Sequence, residues 1–159
     1  MSDSVIDEAL NSLKDVTVNY CLMITEDEED YRFLIELGFK QIGFSGQIVS
    51  TSNGEELMDY LLRQKSYKNE AENPTPDFIL LDMRMPKKDG RQVLKEIKSN
   101  DELKNIPVIV FTANQIEGEE EELKEMGALD YVVKPSSTAE LKNTFKTILD
   151  HWLEVVSES

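Results

Sequence analysis

Apolar positions along the chain alternate between two textures: short continuous runs, and longer stretches where hydrophobic residues recur every three or four places. The short runs predict five strands, at Val18 to Thr25, Gln47 to Ser50, Phe78 to Asp82, Pro107 to Thr112 and Asp130 to Lys134. Within them FILL and VIVF are apolar throughout. Strands covered by helices on both faces need that pattern, so the sheet should be parallel. The periodic stretches predict the helices between: Phe33, Leu34 and Leu37 mark one, Leu57, Met58, Leu61 and Leu62 a second, and Val93, Leu94 and Ile97 a third. Leu123 and Met126 mark a shorter fourth, and Leu141, Phe145, Ile148, Leu149 and Trp152 share one face of a fifth, from about Ser137 to Val156. Val5, Ile6, Ala9, Leu10 and Leu13 take helical spacing behind a cap at Asp3 or Ser4, so residues 1–17 read as a helical extension that docks on the domain. Strands alternating with helices make this an α/β protein, a doubly wound five-stranded parallel sheet with helices on both faces.

The connections carry less information. Gly38 to Gly46 is glycine-rich, but it leads from a helix into a strand and lacks the Gly-Lys-Ser/Thr ending of a phosphate loop, so a plain turn accounts for it. Ser66 to Pro76 is polar, holds two prolines and reads as an exposed loop. Asp89-Gly90 reads as a turn with glycine at positive φ. The acidic run Glu117 to Glu122 precedes the fourth helix, where carboxylates meet the positive end of the dipole, so solvated capping is expected.

Composition narrows the function. At 159 residues and 40% hydrophobic content the chain suits one compact domain. A net charge of −15 would repel a nucleic-acid backbone, which argues against direct nucleic-acid binding. Cys21, the single cysteine, sits in an apolar run and reads as a core residue in a reducing compartment. With neither a signal-peptide pattern nor an apolar run near the ~18 residues of a membrane span, no membrane insertion and a cytoplasmic location are expected.

In doubly wound sheets ligands gather beyond the carboxyl ends of the strands. Here those ends carry Glu26 and Asp27, Asp82, Thr112 and Lys134, so three carboxylates, one hydroxyl and one ammonium should converge. Carboxylates in contact repel by roughly 4 kcal/mol per pair at an effective dielectric of 20. One lysine does not offset this, whereas an oxygen-lined site suits a hard cation, Mg²⁺ above all. Such an ion would screen Asp82 as nucleophile toward a phosphoryl group, with Lys134 and Thr112 meeting the phosphoryl oxygens.

In this order and spacing, Glu26-Asp27, LLDMRMPKKDG around Asp82, FTA at Phe111 to Ala113 and YVVKPS at Tyr131 to Ser136 closely resemble the receiver domain of two-component response regulators, over about Val18 to Trp152. The resemblance implies the receiver fold with strand order 2-1-3-4-5, a domain at residues 18–156 and a tail at 157–159. It implies a phosphoprotein that takes its phosphoryl group on Asp82 from a sensor histidine kinase or a phosphotransfer protein. Mg²⁺ would be held by Asp27, Asp82 and the backbone carbonyl of Arg84, with Glu26 acting through water. Lys134 would pair with the phosphoryl group, and the Lys134-Pro135 bond would be cis. Thr112 would turn to the phosphoryl oxygen while Tyr131 moves inward, with the small Ala113 leaving room for its ring. Arg84 and Asn114 stand where receivers vary and tune phosphate lifetime. His151, the only histidine, reads as a surface residue near a helix end, not a phosphocarrier.

The chain ends soon after the fifth helix, so it resembles the stand-alone, chemotaxis-type receivers and is expected to act by touching a downstream protein. Its long connections and tryptophan-bearing last helix look similar to regulators serving bacterial phytochrome kinases. The last helix is also the expected homodimer face, extended by Trp152, Val155 and Val156, with core packing as the competing account of Trp152. Such a protein promotes its own phosphorylation and dephosphorylation without being a turnover enzyme. Two rivals remain. A haloacid-dehalogenase-type phosphatase would want a second Asp where Arg84 stands, and a phosphorylation-independent module of receiver fold would not need the intact acidic set with Lys134.

Overall fold

The computed structural model describes residues 16–157, so the apolar residues Val5 to Leu13 of the expected extension lie outside the described residues. The order of elements is β1 (Cys21–Thr25), α1 (Glu29–Gln41), β2 (Gln47–Thr51), α2 (Gly54–Leu61), β3 (Phe78–Leu81), α3 (Gly90–Ser99), β4 (Val108–Thr112), α4 (Glu119–Glu125), β5 (Asp130–Val133) and α5 (Thr138–Ser157). All strand pairs are parallel, in the order β2-β1-β3-β4-β5. The doubly wound sheet is therefore as expected, with Val18 to Tyr20 falling outside β1 and Asp82 and Lys134 standing one residue past their strands.

The continuous apolar runs are explained by how the sheet divides them. Leu22, Ile24, Phe78, Leu80, Ile109 and Phe111 face a core layer made with α1 and α5. Their neighbours Met23, Ile79, Leu81, Val108 and Val110 face the opposite layer, made with α2, α3 and α4. Successive residues of a strand point to opposite faces, so a strand buried on both sides has no polar position to give.

Trp152 lies fully inside the first layer, stacked on Phe78 with ring centroids 4.2 Å apart. It is core, so it does not extend a surface for dimerisation. Trp152→Ala should cost about 3–5 kcal/mol, since it removes a large buried ring that the surroundings refill only in part. Urea unfolding checks this, and a loss under ~1 kcal/mol would place the ring at the surface instead.

The face expected of α1 is corrected. Phe33 is 63% exposed, and Leu34 and Leu37 also reach solvent, while Ile35, Gly38 and Phe39 are buried. Ile35, Phe39 and Ile42 form a second apolar stripe at helical spacing, and tertiary contact selects it. Gly38 shows why: a Cβ there would lie 2.5 Å from Cε2 of Phe145, so the missing side chain lets α5 come close enough for Phe39 to stack on Phe145 at 4.7 Å. The expected Gly38 to Gly46 turn accordingly starts later, after Gln41. In α2 the buried residues are Gly54, Leu57, Met58 and Tyr60, and Leu62, just past its end, is exposed.

The 66–76 connection is largely exposed, as expected, whereas the Asp89-Gly90 connection differs from expectation. The polar 66–76 loop is pinned: Tyr60 Oη donates to the Pro74 carbonyl at 2.7 Å, and Arg63 Nη1 donates to that of Asn73 at 2.7 Å. Asp89 is more than a turn residue, because it caps α3 in a reciprocal capping box with Gln92. Gly90 is not at positive φ; Lys87 is, at 68°. What Gly90 supplies is clearance, since a Cβ there would lie 2.6 Å from the Asp82 carbonyl oxygen.

No helix among the described residues is long and apolar enough to cross a membrane.

Candidate functional site

The parallel sheet aligns its strand ends by hydrogen bonds. The Asp82 N–H donates to the Thr25 carbonyl at 3.1 Å, that of Glu26 to Thr51 at 3.2 Å, and that of Lys134 to Thr112 at 2.7 Å. The ladder thus brings side chains far apart in sequence to one edge. Glu26, Asp27 and Asp82 can place one carboxylate oxygen each within 4.8 Å of one another. Lys134 closes the group, with Nζ 2.5 Å from Glu26 Oε1 and 3.6 Å from Asp82 Oδ2. The Arg84 N–H donates to Asp82 Oδ1 at 3.3 Å. Thr112 is fully buried, and its hydroxyl donates to the Asn114 carbonyl at 3.3 Å.

Burial makes the crowding severe. Glu26 is 2% and Asp82 7% exposed, while Asp27 opens to solvent. Glu26 is held above the usual carboxylate range, first by burial and then by sharing a hydrogen bond with Asp82, against the opposing pull of Lys134. Asp27 is raised as well, by burial and then by its hydrogen bond with Glu26. These are carboxylates short of positive charge. An all-oxygen set open on one side by Asp27 fits a hard divalent cation that keeps some of its water.

One correction concerns the backbone. The Lys134-Pro135 bond is trans, as no cis peptide bond occurs among the described residues. Trans is the favoured form of an X-Pro bond by about 0.5–1 kcal/mol, and Lys134 reaches the carboxylates in that form.

Tyr131 is already buried, at 7% exposure, with its hydroxyl donating to Glu119 Oε1 at 2.7 Å. Glu119 is only 6% exposed, so the acidic run is not uniformly solvated as expected. Ala113 is exposed and lines a cavity of about 360 Å³ with Glu28, Tyr31, Lys134, Pro135 and Ser136. His151 pairs through Nδ1 with Asp130 Oδ2 at 3.1 Å, at the opposite end of β5 from Lys134.

Sequence reasoning missed Tyr31. Lys134 Nζ lies 4.6 Å from the centroid of its ring and 5.8 Å from that of Phe111, so the ammonium rests on aromatic faces as it meets the carboxylates. Among the described residues the Tyr31 hydroxyl is buried without a partner, and its pKa is pushed up to about 12, first by burial and then by Glu26. The available signal was spacing: Tyr31 stands one helical turn before the buried Ile35.

Comparison with known proteins agrees with this geometry. Residues 22–146 match the response regulator receiver domain family. Response regulator Rcp1 of Synechocystis sp. is 33% identical over 136 residues, covering 86% of this chain and 90% of that protein. The crystal structure of the phosphorylated cyanobacterial phytochrome response regulator RcpA superposes with a TM-score of 0.79 at 32% identity, covering 87% of this chain and 96% of that one. The Mn²⁺-bound form of Rcp1 gives a TM-score of 0.76 at 32% identity, with 85% and 95% covered. Sheet order, strand-end chemistry and sequence coincide over most of the length, and the chain belongs to the response regulator receiver domain family.

Proposed function

We propose that the chain is a response regulator that accepts a phosphoryl group on Asp82 from a phosphohistidine, holds Mg²⁺ at the neighbouring carboxylates, and switches a protein-binding face as a result. One observation carries this reading: three carboxylates within 4.8 Å, two of them touched by a single lysine. That set has the donors for a cation and the ammonium for an anion. An Asp82 carboxylate oxygen attacks phosphorus, the bond from phosphorus to the donor nitrogen breaks, and an acyl phosphate results. Lys134 shifts from Glu26 toward the new phosphoryl oxygens, and the Thr112 hydroxyl exchanges the Asn114 carbonyl for one of them. Asp27, Asp82 and the Arg84 carbonyl would hold Mg²⁺, with Glu26 through water; the ion supplies charge neutralisation at the transferring group.

The donor is a sensor histidine kinase. The similarity to Rcp1 and to the phytochrome response regulator RcpA favours one of phytochrome type. The reading makes the protein a signalling component that acts in the cytoplasm rather than a turnover enzyme. Incubation with acetyl phosphate and Mg²⁺ tests it: intact mass should rise by one phosphoryl group that maps to Asp82 and is lost in alkali. An unchanged mass would refute it.

Arg84 is exposed beside Asp82, where a guanidinium can contact the phosphoryl oxygens or hinder attacking water. Arg84→Asn should therefore change the lifetime of the phosphoprotein and leave the unfolding midpoint in place. An unchanged half-life would show that Arg84 takes no part.

A further inference from the structure

A glutamate at 6% exposure needs partners, since a buried charge without them is strongly disfavoured. Glu119 has two. Oε1 accepts from the Tyr131 hydroxyl at 2.7 Å, and Oε2 lies 3.7 Å from Nη2 of Arg91, which also pairs with Glu122 through Nη1. Glu119 begins α4, Tyr131 lies in β5, and Arg91 lies in the first turn of α3.

Arg91 is tied to the loop that carries Asp82. Its neighbour Gly90 donates its N–H to the Met83 carbonyl at 3.0 Å and packs too closely on the Asp82 carbonyl for any Cβ to fit. Met83, Arg84, Asp89, Arg91, Ile116 and Glu119 together line a cavity of about 300 Å³. A continuous chain of contacts therefore runs from the Asp82 loop through Arg91 and Glu119 to the Tyr131 ring, independent of Thr112.

We propose that Glu119 is the positioning residue that keeps Tyr131 in its buried orientation, and that Arg91 couples this orientation to the Asp82 loop. The proposal rests on the reading of Asp82 as phosphoacceptor and of inward Tyr131 as the phosphorylated arrangement. Glu119 holds that arrangement before any phosphoryl group arrives. Removing its carboxylate lets the ring leave, lowers the population of the competent packing and weakens everything that binds that packing.

The test is fluorine NMR of protein labelled with 3-fluorotyrosine. The chain has five tyrosines, so Tyr131→Phe assigns the signal. In the metal-free protein, Glu119→Ala should move the Tyr131 resonance toward that of unfolded protein and raise its H₂O/D₂O shift. Glu119→Gln, which keeps an acceptor oxygen, should restore most of the wild-type signal, and Arg91→Ala should give an intermediate position. With Mg²⁺, Glu119→Ala should bind beryllofluoride about fivefold more weakly than wild type, in keeping with one lost buried hydrogen bond. A Tyr131 signal unmoved by Glu119→Ala, or beryllofluoride affinity equal to wild type, would overturn the proposal. If Glu119→Ala does not fold, Arg91→Ala carries the test, and an unmoved Tyr131 signal there overturns it. A wild-type protein blind to beryllofluoride would instead refute Asp82 as phosphoacceptor, while the metal-free fluorine signal still reports on Glu119.

Discussion

Asp82→Asn is expected to abolish phosphoryl uptake and, in the metal-free protein, to increase stability. The first effect follows from chemistry, since an amide oxygen is a poor nucleophile and forms no acyl phosphate under these conditions. The second follows from the crowding of Glu26, Asp27 and Asp82 within 4.8 Å. Neutralising Asp82 removes two repulsions and one attraction, to Lys134 at 3.6 Å. At an effective dielectric of 20 each repulsion at 4.8 Å is worth roughly 3.5 kcal/mol and the attraction at 3.6 Å roughly 4.6 kcal/mol, so the balance favours the variant by about 2 kcal/mol. Lys134 keeps Glu26 as its nearer partner, at 2.5 Å, so the substitution leaves no buried charge alone. Urea unfolding in EDTA measures the stability, and intact mass after acetyl phosphate measures the uptake. A variant less stable than wild type would show that Asp82 is held by favourable contacts outweighing the repulsion, and a labelled variant would move the acceptor elsewhere.

Mg²⁺ should raise the melting temperature of the wild-type protein substantially. An ion that binds only the folded chain stabilises it by about 2.7 kcal/mol at one hundred times its dissociation constant. For a domain of this size that corresponds to roughly 5–10 °C. The comparison needs matched ionic strength, because a chain of net charge −15 is also stabilised by unspecific screening. Sodium chloride supplies that control, and Asp27→Ala and Asp82→Asn should lose most of the Mg²⁺ increment. Equal gains from Mg²⁺ and from sodium chloride, or equal gains in wild type and variants, would dissociate the acidic group from cation binding.

These predictions rest on the part of the molecule that was most legible in the sequence. Glu26, Asp27, Asp82, Thr112 and Lys134 could be placed together because each follows or ends a run identified as a strand, and a parallel sheet collects such ends at one edge. The strands were readable because burial on both faces leaves no polar residue inside them. The helices were harder. In α1 two apolar stripes compete, and only the fit of Gly38 against Phe145 decides for Ile35 and Phe39 over Phe33, Leu34 and Leu37. Glu119 was hidden by its neighbours: in a run of glutamates nothing local distinguishes the one that meets Tyr131 across the fold. Tyr31 was missed for the same reason, since its role depends on a lysine about a hundred positions away that only the sheet brings to it.

The way each central strand shares its residues between two layers limits how this chain can vary over evolutionary time. One amino acid inserted into Phe78–Leu81 would reverse the orientation of every residue beyond it, exchanging what the two layers receive. Changes of length are therefore confined to the segments outside the sheet, whereas exchanges of one aliphatic residue for another within it remain open.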